Sequence, residues 1–372
     1  MIKWFIKTFP SYYKMMNECS YHYKDREFNN HHLEGNVWTF TMLSFNQGII
    51  NNVPLHIQYA LLLQDIGRVL TRKENHKSEH ISFGDFEGAS CVLGVEVLNQ
   101  TSLSNQEKIR ILKIISYQYT MTDFLHSSEP NFDELLATFK YEEELLKDLA
   151  VFIKCNFSGR VVEESKKDQY NTQKVDILIE SLQELEITKK IVEEKTATLN
   201  ILVGLPCSLK SSWVEKQEGD FILVNRDDFT LLVGAKHKKF TYDDADKYLL
   251  ANDKLEDEAD RLYEEHKDMT KNSMGKNIII DNPNLKIKKR KNWINAMSKT
   301  HNINIVLFLR AYTSLIECDK LRSKKIKKTI GKKLITKQLK EFYFPLFSEG
   351  FDTIESIFVD STLELDINKT NQ

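Results

Sequence analysis

The sequence of 372 residues has no cysteines close together in sequence and no long apolar runs. Its five cysteines are isolated and no C-x-x-C motif occurs, which argues against a structural zinc site and a disulfide framework. No apolar stretch approaches the roughly 20 residues that a membrane-spanning helix needs. The N-terminal stretch Met1–Pro10 is too short and too charged for a signal peptide. These absences predict a protein of a reducing compartment, the cytoplasm, with no membrane partner.

The net charge of -2 excludes little, but its distribution is uneven. Residues 281–340 contain 17 lysine and arginine residues against three acidic ones, a formal charge of +14. Such a segment could attract a polyanion. The alternative is a solvated, lysine-rich helical face, which the abundance of lysine along the whole chain favours.

Hydrophobic periodicity changes along the chain and predicts two domains. Residues 1–165 carry apolar positions at helical spacing and no clear strand pattern, which predicts an all-α domain. Residues 166–198 are polar and then amphipathic, which predicts a helical connector. Residues 199–372 contain short apolar runs between helical stretches, which is typical of a parallel sheet buried on both faces. The predicted fold class is therefore an all-α domain followed by an α/β domain, with strands at residues 201–203, 221–224, 277–280, 303–309 and 357–359.

A phosphate-binding loop is the clearest motif. The apolar run ending at Val203 leads into Gly204, and Lys210 and Ser211 close the loop in the frame G-x-x-x-x-G-K-[ST]. Leu209 stands where the second glycine of that frame belongs. The pattern predicts nucleotide binding, with Gly204, Lys210, Ser211 and Ser212 as the binding residues.

Three further motifs lie next to the predicted strands, two after a strand and the third leading into the last strand. They are Asn225-Arg-Asp-Asp-Phe229, then Asp281-Asn-Pro-Asn-Leu285 with a basic continuation to Trp293, and Glu349-Gly-Phe-Asp352. Together with the loop they resemble the P-loop domain of polynucleotide kinases over about residues 199–360. The resemblance implies ATP and Mg²⁺ as cofactors and RNA or DNA ends as partners.

The resemblance also implies roles for individual residues. Lys210 would neutralise the β- and γ-phosphates, Ser211 would hold Mg²⁺, and Asp227 would accept the proton of the 5′-hydroxyl. The acceptor strand would meet a group of polar residues made up of Arg226, Asp281, Asn284 and Lys325.

This sequence departs from the kinase pattern at several of those positions. Cys207 and Leu209 replace glycines, and Thr230 replaces an arginine that contacts the acceptor phosphate. In the segment expected to form the lid, Leu321 and Lys325 stand at arginine positions. A lysine keeps the charge of arginine but not its bidentate geometry.

The N-terminal half resembles HD-domain phosphohydrolases in four ordered stretches, at residues 32–41, 61–68, 83–89 and 155–160. The metal-ligand positions of that family are occupied by Phe40, Gln64, Phe86 and Asn156, and Asp65 alone survives. Phenylalanine offers no lone pair, and neutral amides are weak ligands for transition metals. We therefore expect no metal at this site and no hydrolytic activity.

The order of the two domains resembles that of bifunctional enzymes that heal nucleic-acid ends. The sequence predicts a divergent polynucleotide 5′-hydroxyl kinase with an inactive phosphatase domain. The alternative is a catalytically inactive module, derived from that family, that binds nucleic acid or another protein.

Overall fold

The computed structural model describes residues 1–23, 29–77, 80–273, 275–326 and 328–359, with the side chains of Lys325 and Ile326 outside the description. The chain forms two compact units. The first contains residues 1–189 and 339–348, and the second contains residues 190–338 and the described residues from 349 onward. None of the helices in these ranges combines the length and apolar character needed to cross a lipid bilayer.

The first unit is mainly helical. Its helices are α1 (Ile2–Thr8), α2 (Pro10–Glu18), α3 (Val37–Ile50), α4 (Leu55–Leu63), α5 (Arg68–Thr71), α6 (Phe86–Leu98), α7 (Asn105–His126), α8 (Phe132–Thr138), α9 (Glu143–Ser158) and α10 (Thr172–Gln183).

Local signals explain where the longest of these helices begins. Ser104 accepts a hydrogen bond from the backbone N–H of Glu107, and the Glu107 carboxylate accepts one from the backbone N–H of Ser104. This capping box satisfies backbone donors that the first turn of α7 leaves free. Helix α7 then packs against α4, α6 and α9, so that apolar residues such as Leu62 and Ile115 are fully buried.

Two short strands correct the prediction of a purely helical N-terminal domain. Strands β1 (Lys73–Asn75) and β2 (His80–Ser82) pair in an antiparallel hairpin. Both are only three residues long and mostly exposed, so they lack the apolar alternation by which a strand is recognised in a sequence.

A segment from late in the chain completes the first unit. Tyr117 donates a hydrogen bond of 2.5 Å to the carbonyl of Phe344, whose N–H donates to Ser116 Oγ at 3.1 Å. Gly88 allows close approach here, since a Cβ on it would lie 2.3 Å from the carbonyl oxygen of Leu339. Any side chain at position 88 would therefore push the returning segment away.

The second unit is built on a parallel sheet. Its strands are β3 (Ala197–Val203), β4 (Phe221–Val224), β5 (Asn277–Ile280), β6 (His301–Arg310) and β7 (Thr353–Val359). Its helices are α11 (Lys210–Val214), α12 (Arg226–Ala235), α13 (Tyr242–Leu250), α14 (Asp253–Lys271), α15 (Ile287–Met297), α16 (Tyr312–Ile326) and α17 (Lys332–Leu339), the last of which ends in the segment that joins the first unit.

The five strands are ordered β4-β5-β3-β6-β7, and all neighbouring pairs are parallel. The sequence prediction of a C-terminal parallel sheet is therefore confirmed. Strand β3 is central, and the chain winds to one side of it through β4 and β5 and to the other through β6 and β7. Ligands of such sheets bind beyond the carboxyl ends of the strands where the winding direction changes, which here is the end of β3.

Two of the sequence motifs stabilise this unit from within. The guanidinium of Arg290 is fully buried and forms bonds of 2.7 and 2.6 Å with the two carboxylate oxygens of Glu349. It also donates to the carbonyls of Asn284 and Leu285. The Glu349-Gly-Phe-Asp352 motif and the basic stretch after β5 are thus joined by a buried, bidentate ion pair.

Candidate nucleotide-binding site

A cavity of about 330 Å³ lies at the carboxyl end of β3. Residues 206–212 form its floor, the ends of β4 and β5 contribute polar side chains, and α16 with the residues after it supplies cationic ones. The cavity therefore lies where the sheet topology predicts a ligand site.

The loop has a backbone conformation that usually requires glycine. Cys207 and Leu209 have φ values of 65° and 70°, the left-handed region in which an L-residue with a Cβ is strained. These are the two positions at which the sequence replaces glycines of the resembled loop. The side chain of Leu209 packs on an apolar cluster that includes Leu202 and Phe308, and this contact helps to offset the strain.

Position 204 requires glycine because neighbouring atoms leave no room for a Cβ, and not because of its φ angle. A Cβ at this position would lie 2.6 Å from Ser208 Oγ and 3.0 Å from Phe308 Cβ. Its N–H donates to the carbonyl of Pro283 at 3.1 Å. Glycine is therefore needed for the turn that directs the chain from β3 into the loop.

The ammonium group of Lys210 lies inside the loop. Its Nζ donates to the carbonyl oxygens of Gly204 and Leu205, both at 2.9 Å. Burial lowers the pKa of Lys210 to about 8, although the nearby carboxylate of Asp281 opposes this shift. Lys210 is thus charged at neutral pH and begins to lose its proton in mildly alkaline solution.

Ser211, at the start of α11, and Asp281, just beyond the end of β5, form an oxygen-rich pair. Ser211 Oγ donates to Asp281 Oδ2 at 2.9 Å, and Asn225 Nδ2 donates to the same oxygen at 3.4 Å. A loop hydroxyl beside a carboxylate from an adjacent strand is the arrangement by which P-loop enzymes hold Mg²⁺. Hydroxyl and carboxylate oxygens are also the ligand types that Mg²⁺ prefers.

Asp227 lies at the start of α12, at the rim of the cavity. Asn225 caps this helix by accepting a hydrogen bond of 2.9 Å from the N–H of Asp227. The Asp227 carboxylate forms an ion pair with Lys328 Nζ, which also lies 4.3 Å from the centroid of the Tyr242 ring. Asp227, the predicted base, is therefore paired with a lysine that is distant from it in the sequence.

The position of Lys328 is fixed by its neighbours. Both carboxylate oxygens of Asp319 accept backbone N–H groups, from Ile330 and Gly331, at 2.8 Å. Asp243 accepts the N–H of Thr329 at 2.7 Å. Carboxylates on α16 and α13 thus hold the backbone that carries Lys328.

The structure does not bring every predicted residue to the cavity. Arg226 binds Asp260 and Thr230 away from the cavity, at 2.6 and 2.7 Å. The Asn284 amide donates to the carbonyl of Leu202 at 2.8 Å, which joins the ends of β3 and β5. Ser212 lines the cavity, whereas the side chain of Lys325 lies outside the described part of the structure.

The sequence prediction missed a cluster opposite Lys210. Arg322 Nη1 donates to Cys207 Sγ at 3.2 Å, and Arg310 Nη1 donates to the Cys207 carbonyl at 2.6 Å. The Cys207 and Cys318 thiols are hydrogen-bonded to each other. The spacing of Cys318 and Arg322, four residues apart on one helix, was the available signal, because it places both on the same face.

Comparison with known proteins bears on residues 199–343, nearly all of which belong to the second unit. Residues 199–343 match a family model for an AAA domain. The match spans the loop, most of β3, strands β4 to β6 and α16, and it supports a P-loop, nucleotide-binding domain of the kinase type in this region. A search of curated proteins finds no match to the chain.

In the first unit, the polar residues at the ligand positions of the resembled phosphohydrolases contact one another and neighbouring side chains. Asn156 Nδ2 donates to Gln64 Oε1 at 2.6 Å, and Gln118 Nε2 donates to the Gln64 carbonyl at 3.0 Å. Asp65 is buried, forms an ion pair with Arg68 in which Nε lies 2.9 Å from Oδ1, and accepts a hydrogen bond from Tyr21 Oη at 3.1 Å.

Two phenylalanines at the histidine positions face guanidinium groups. The Arg160 guanidinium lies 4.7 Å from the centre of the Phe40 ring, and that of Arg68 lies 3.7 Å from the centre of the Phe86 ring. Such cation–π contacts are favourable when they are desolvated. Within the described residues, no group of three or more His, Cys, Asp or Glu side chains is arranged to hold a metal ion.

Proposed function

We propose that the second unit is a polynucleotide 5′-hydroxyl kinase and that the first unit is a phosphohydrolase scaffold without catalytic activity. The observation that carries the kinase proposal is the cavity in which Lys210, Ser211, Asp281 and Asp227 meet. Phosphoryl transfer needs positioning and charge neutralisation more than covalent chemistry, and these four side chains supply a cation, a metal-binding pair and a base.

The residues fit ATP and Mg²⁺ by their chemistry. Ser211 and Asp281 would hold the metal ion, and Lys210 with the loop N–H groups would hold the phosphates. Ser208 Oγ is buried without a hydrogen-bond partner, so the loop retains an unused polar group beside the cavity. ATP supplies the phosphoryl group when it is bound.

Asp227 is the group that would accept the proton of the acceptor hydroxyl. Its side chain is 37% exposed, which suits a residue that meets a substrate. Lys328 neutralises this carboxylate, so proton transfer requires the ion pair to open or the lysine to shift toward an acceptor phosphate. The formal charge of +14 over residues 281–340 supports a polyanionic acceptor.

The direct test is transfer of labelled phosphate from ATP to 5′-hydroxyl oligonucleotides of RNA and of DNA. We expect transfer by the wild-type chain and its loss in Lys210→Ala and in Asp227→Asn. Lys216→Ala, which removes an exposed lysine just beyond α11, is the matched control and should behave as wild type. Transfer that is no greater than in Lys210→Ala would refute the kinase proposal.

The proposal for the first unit has its own test. We expect no phosphate release from 3′-phosphate ends when Mn²⁺, Ni²⁺, Co²⁺ or Zn²⁺ is added. Metal-dependent release that is abolished in Asp65→Ala would show that this unit is an active phosphohydrolase.

One observation favours the alternative of a non-catalytic nucleic-acid-binding module. Lys210 is already bound by two loop carbonyls and Asp227 by Lys328, so both groups would have to exchange partners before they could act. Oligonucleotide binding that weakens with salt, without any phosphate transfer, would favour this module over the kinase.

A further inference from the structure

Two cysteine thiols meet at the loop. Cys207 lies within the loop, and Cys318 lies on α16, which carries the cations opposite. Both thiols line the cavity, through which a small reagent could reach them, and Arg322, one turn beyond Cys318 on α16, donates to Cys207 Sγ at 3.2 Å, so the two side chains lie on the same side of the cavity. All five cysteines are buried, but Cys19, Cys91 and Cys155 belong to the first unit and line none of the described cavities, whereas Cys207 and Cys318 line the cavity at the loop.

The surroundings of the pair favour a thiolate on Cys207. Hydrogen bonding from Cys318 and from the Arg322 guanidinium lowers the pKa of Cys207 below its usual value. The same hydrogen bond raises the pKa of Cys318, which therefore keeps its proton and acts as the donor. Reactive cysteines are those held as thiolates near arginine or lysine in accessible positions.

We infer that Cys207 and Cys318 form a peroxide-sensitive thiol pair that closes to a disulfide across the phosphate-binding loop. The sulfur of Cys207 attacks one oxygen of hydrogen peroxide, the O–O bond breaks, and hydroxide leaves, which gives a sulfenic acid on Cys207. The Cys318 sulfur then attacks the Cys207 sulfur and displaces hydroxide, which takes up the Cys318 proton as water. Two thiols together lose two electrons, and one peroxide is reduced to two molecules of water.

Bond formation requires the two sulfur atoms, which lie on the same side of the cavity, to approach to about 2.05 Å. The bridge would join α16 to the loop and remove the anionic partner of Arg322. It would also fix Cys207 at its left-handed φ of 65°, and so restrain the backbone of the loop.

The test uses the full chain and does not depend on kinase activity. The protein is treated with hydrogen peroxide, quenched with catalase, denatured in N-ethylmaleimide and digested for mass spectrometry. We expect a peptide that joins Cys207 to Cys318 and disappears on reduction, with Cys19, Cys91 and Cys155 labelled by maleimide.

Variants separate the two thiols and the cation beside them. Cys318→Ser should accumulate a sulfenic acid on Cys207, which dimedone traps, whereas Cys207→Ser should leave Cys318 free for maleimide. Arg322→Gln should slow oxidation by up to about tenfold at pH 5, where raising the Cys207 pKa of about 6 by one unit lowers the thiolate fraction most, and by less than about twofold at pH 7. Lys324→Gln removes an exposed charge from the same helix and should leave the rate unchanged.

Two results would overturn the inference. Oxidation of Cys207 no faster than that of Cys19, Cys91 or Cys155 in the wild-type chain would show that its thiol is not activated. A stable sulfenic acid on Cys207 without the linked peptide would show that Cys318 does not resolve it. The wild-type measurements decide both points even if a serine variant fails to fold.

Discussion

Both units carry residues that differ from the motifs of the families they resemble, but the consequences for the two sites are opposite. In the first, the polar residues at positions that correspond to metal ligands are engaged by protein side chains: Gln64 accepts a hydrogen bond from Asn156, and Asp65 forms an ion pair with Arg68. In the second, Lys210 and Asp281 still face a cavity despite the replaced glycines. Replacement residues that complete a hydrogen-bond network close a site, whereas replacements in the backbone of a loop leave its functional side chains in place.

The two units also differ in the environment of the carboxylate that each retains from its motif, Asp65 in the first and Asp227 in the second. The carboxylate of Asp65 is almost fully buried and serves a buried guanidinium. Asp227 is partly exposed and is paired with a lysine that solvent or a substrate phosphate could attract instead. Buried pairs of the first kind are expected to matter for stability, and rim pairs of the second kind for function.

The largest expected effect is the loss of stability in Asp65→Ala. Removing this carboxylate leaves the buried Arg68 without its partner, which costs about 3–5 kcal/mol of unfolding free energy. Asp176→Ala is the matched control, because Asp176 pairs with Lys154 at the surface and should cost less than about 1 kcal/mol. Chemical denaturation measures both variants. Equal, small losses in the two would contradict the view that the first unit retains Asp65 for its structure.

The next effect is functional and belongs to the second unit. Lys210→Ala should lower phosphoryl transfer by at least about 100-fold, because the cation that neutralises the phosphates is lost. We expect little loss of stability, since the variant removes a buried charge whose desolvation is unfavourable. Transfer assays and thermal unfolding on the same preparation check this contrast with Asp65→Ala. If Lys210→Ala lost stability but its folded fraction still transferred phosphate at the wild-type rate, Lys210 would be a structural residue like Asp65, and the contrast between the two units would fail.

The sequence was sufficient to predict what depends on local pattern. The strands and the loop were recognisable because buried parallel strands are continuous apolar runs, and because the positions of Gly204, Lys210 and Ser211 follow a fixed spacing. The short hairpin of the first unit was not recognisable, since its strands are exposed and lack alternation.

What the sequence could not reveal depends on contacts between distant residues. Lys328 pairs with Asp227, which is 101 positions away in the sequence, and the residues around neither position predict this ion pair. Asn284 was predicted to meet a substrate, yet its amide is used to satisfy backbone carbonyls that the strand ends leave free. A polar residue in a motif can serve the backbone as readily as a ligand, and only the fold separates these roles.

The pH dependence of ATP binding should report whether the side chain of Lys210 is protonated. The charged and titratable groups that face it are Asp281, Asp227, Arg322 and Cys207. Because the pKa of Lys210 is lowered to about 8, the protein loses this cation as the pH rises through that value.

Phosphates favour the charged form, so the dissociation constant of ATP should rise by up to about tenfold per pH unit above that pKa. Titrations of ATP between pH 7 and pH 9 test this. Lys210→Arg keeps its charge throughout this range and should show a much flatter profile. A wild-type profile as flat as that of Lys210→Arg would mean that Lys210 does not contact the phosphates.

The smallest effect concerns the strained leucine of the loop. Leu209→Gly relieves about 1–2 kcal/mol of left-handed strain but loses part of the packing of a leucine side chain, worth about 1.5–3 kcal/mol when it is fully buried. We therefore expect a net change in stability within about 1 kcal/mol. Leu209→Ala loses the same packing but keeps a Cβ at positive φ, so it should be less stable than the glycine variant.

The two variants at position 209 should also differ in nucleotide binding. Glycine lets the loop N–H groups adjust to phosphate oxygens without strain, so ATP should bind a few-fold more tightly to Leu209→Gly than to Leu209→Ala. Thermal unfolding and ATP titration on both variants give the comparison. An alanine variant that is more stable than the glycine variant would show that residue 209 is not left-handed in solution, and the loop would then differ from a phosphate cradle in its backbone as well as in its side chains.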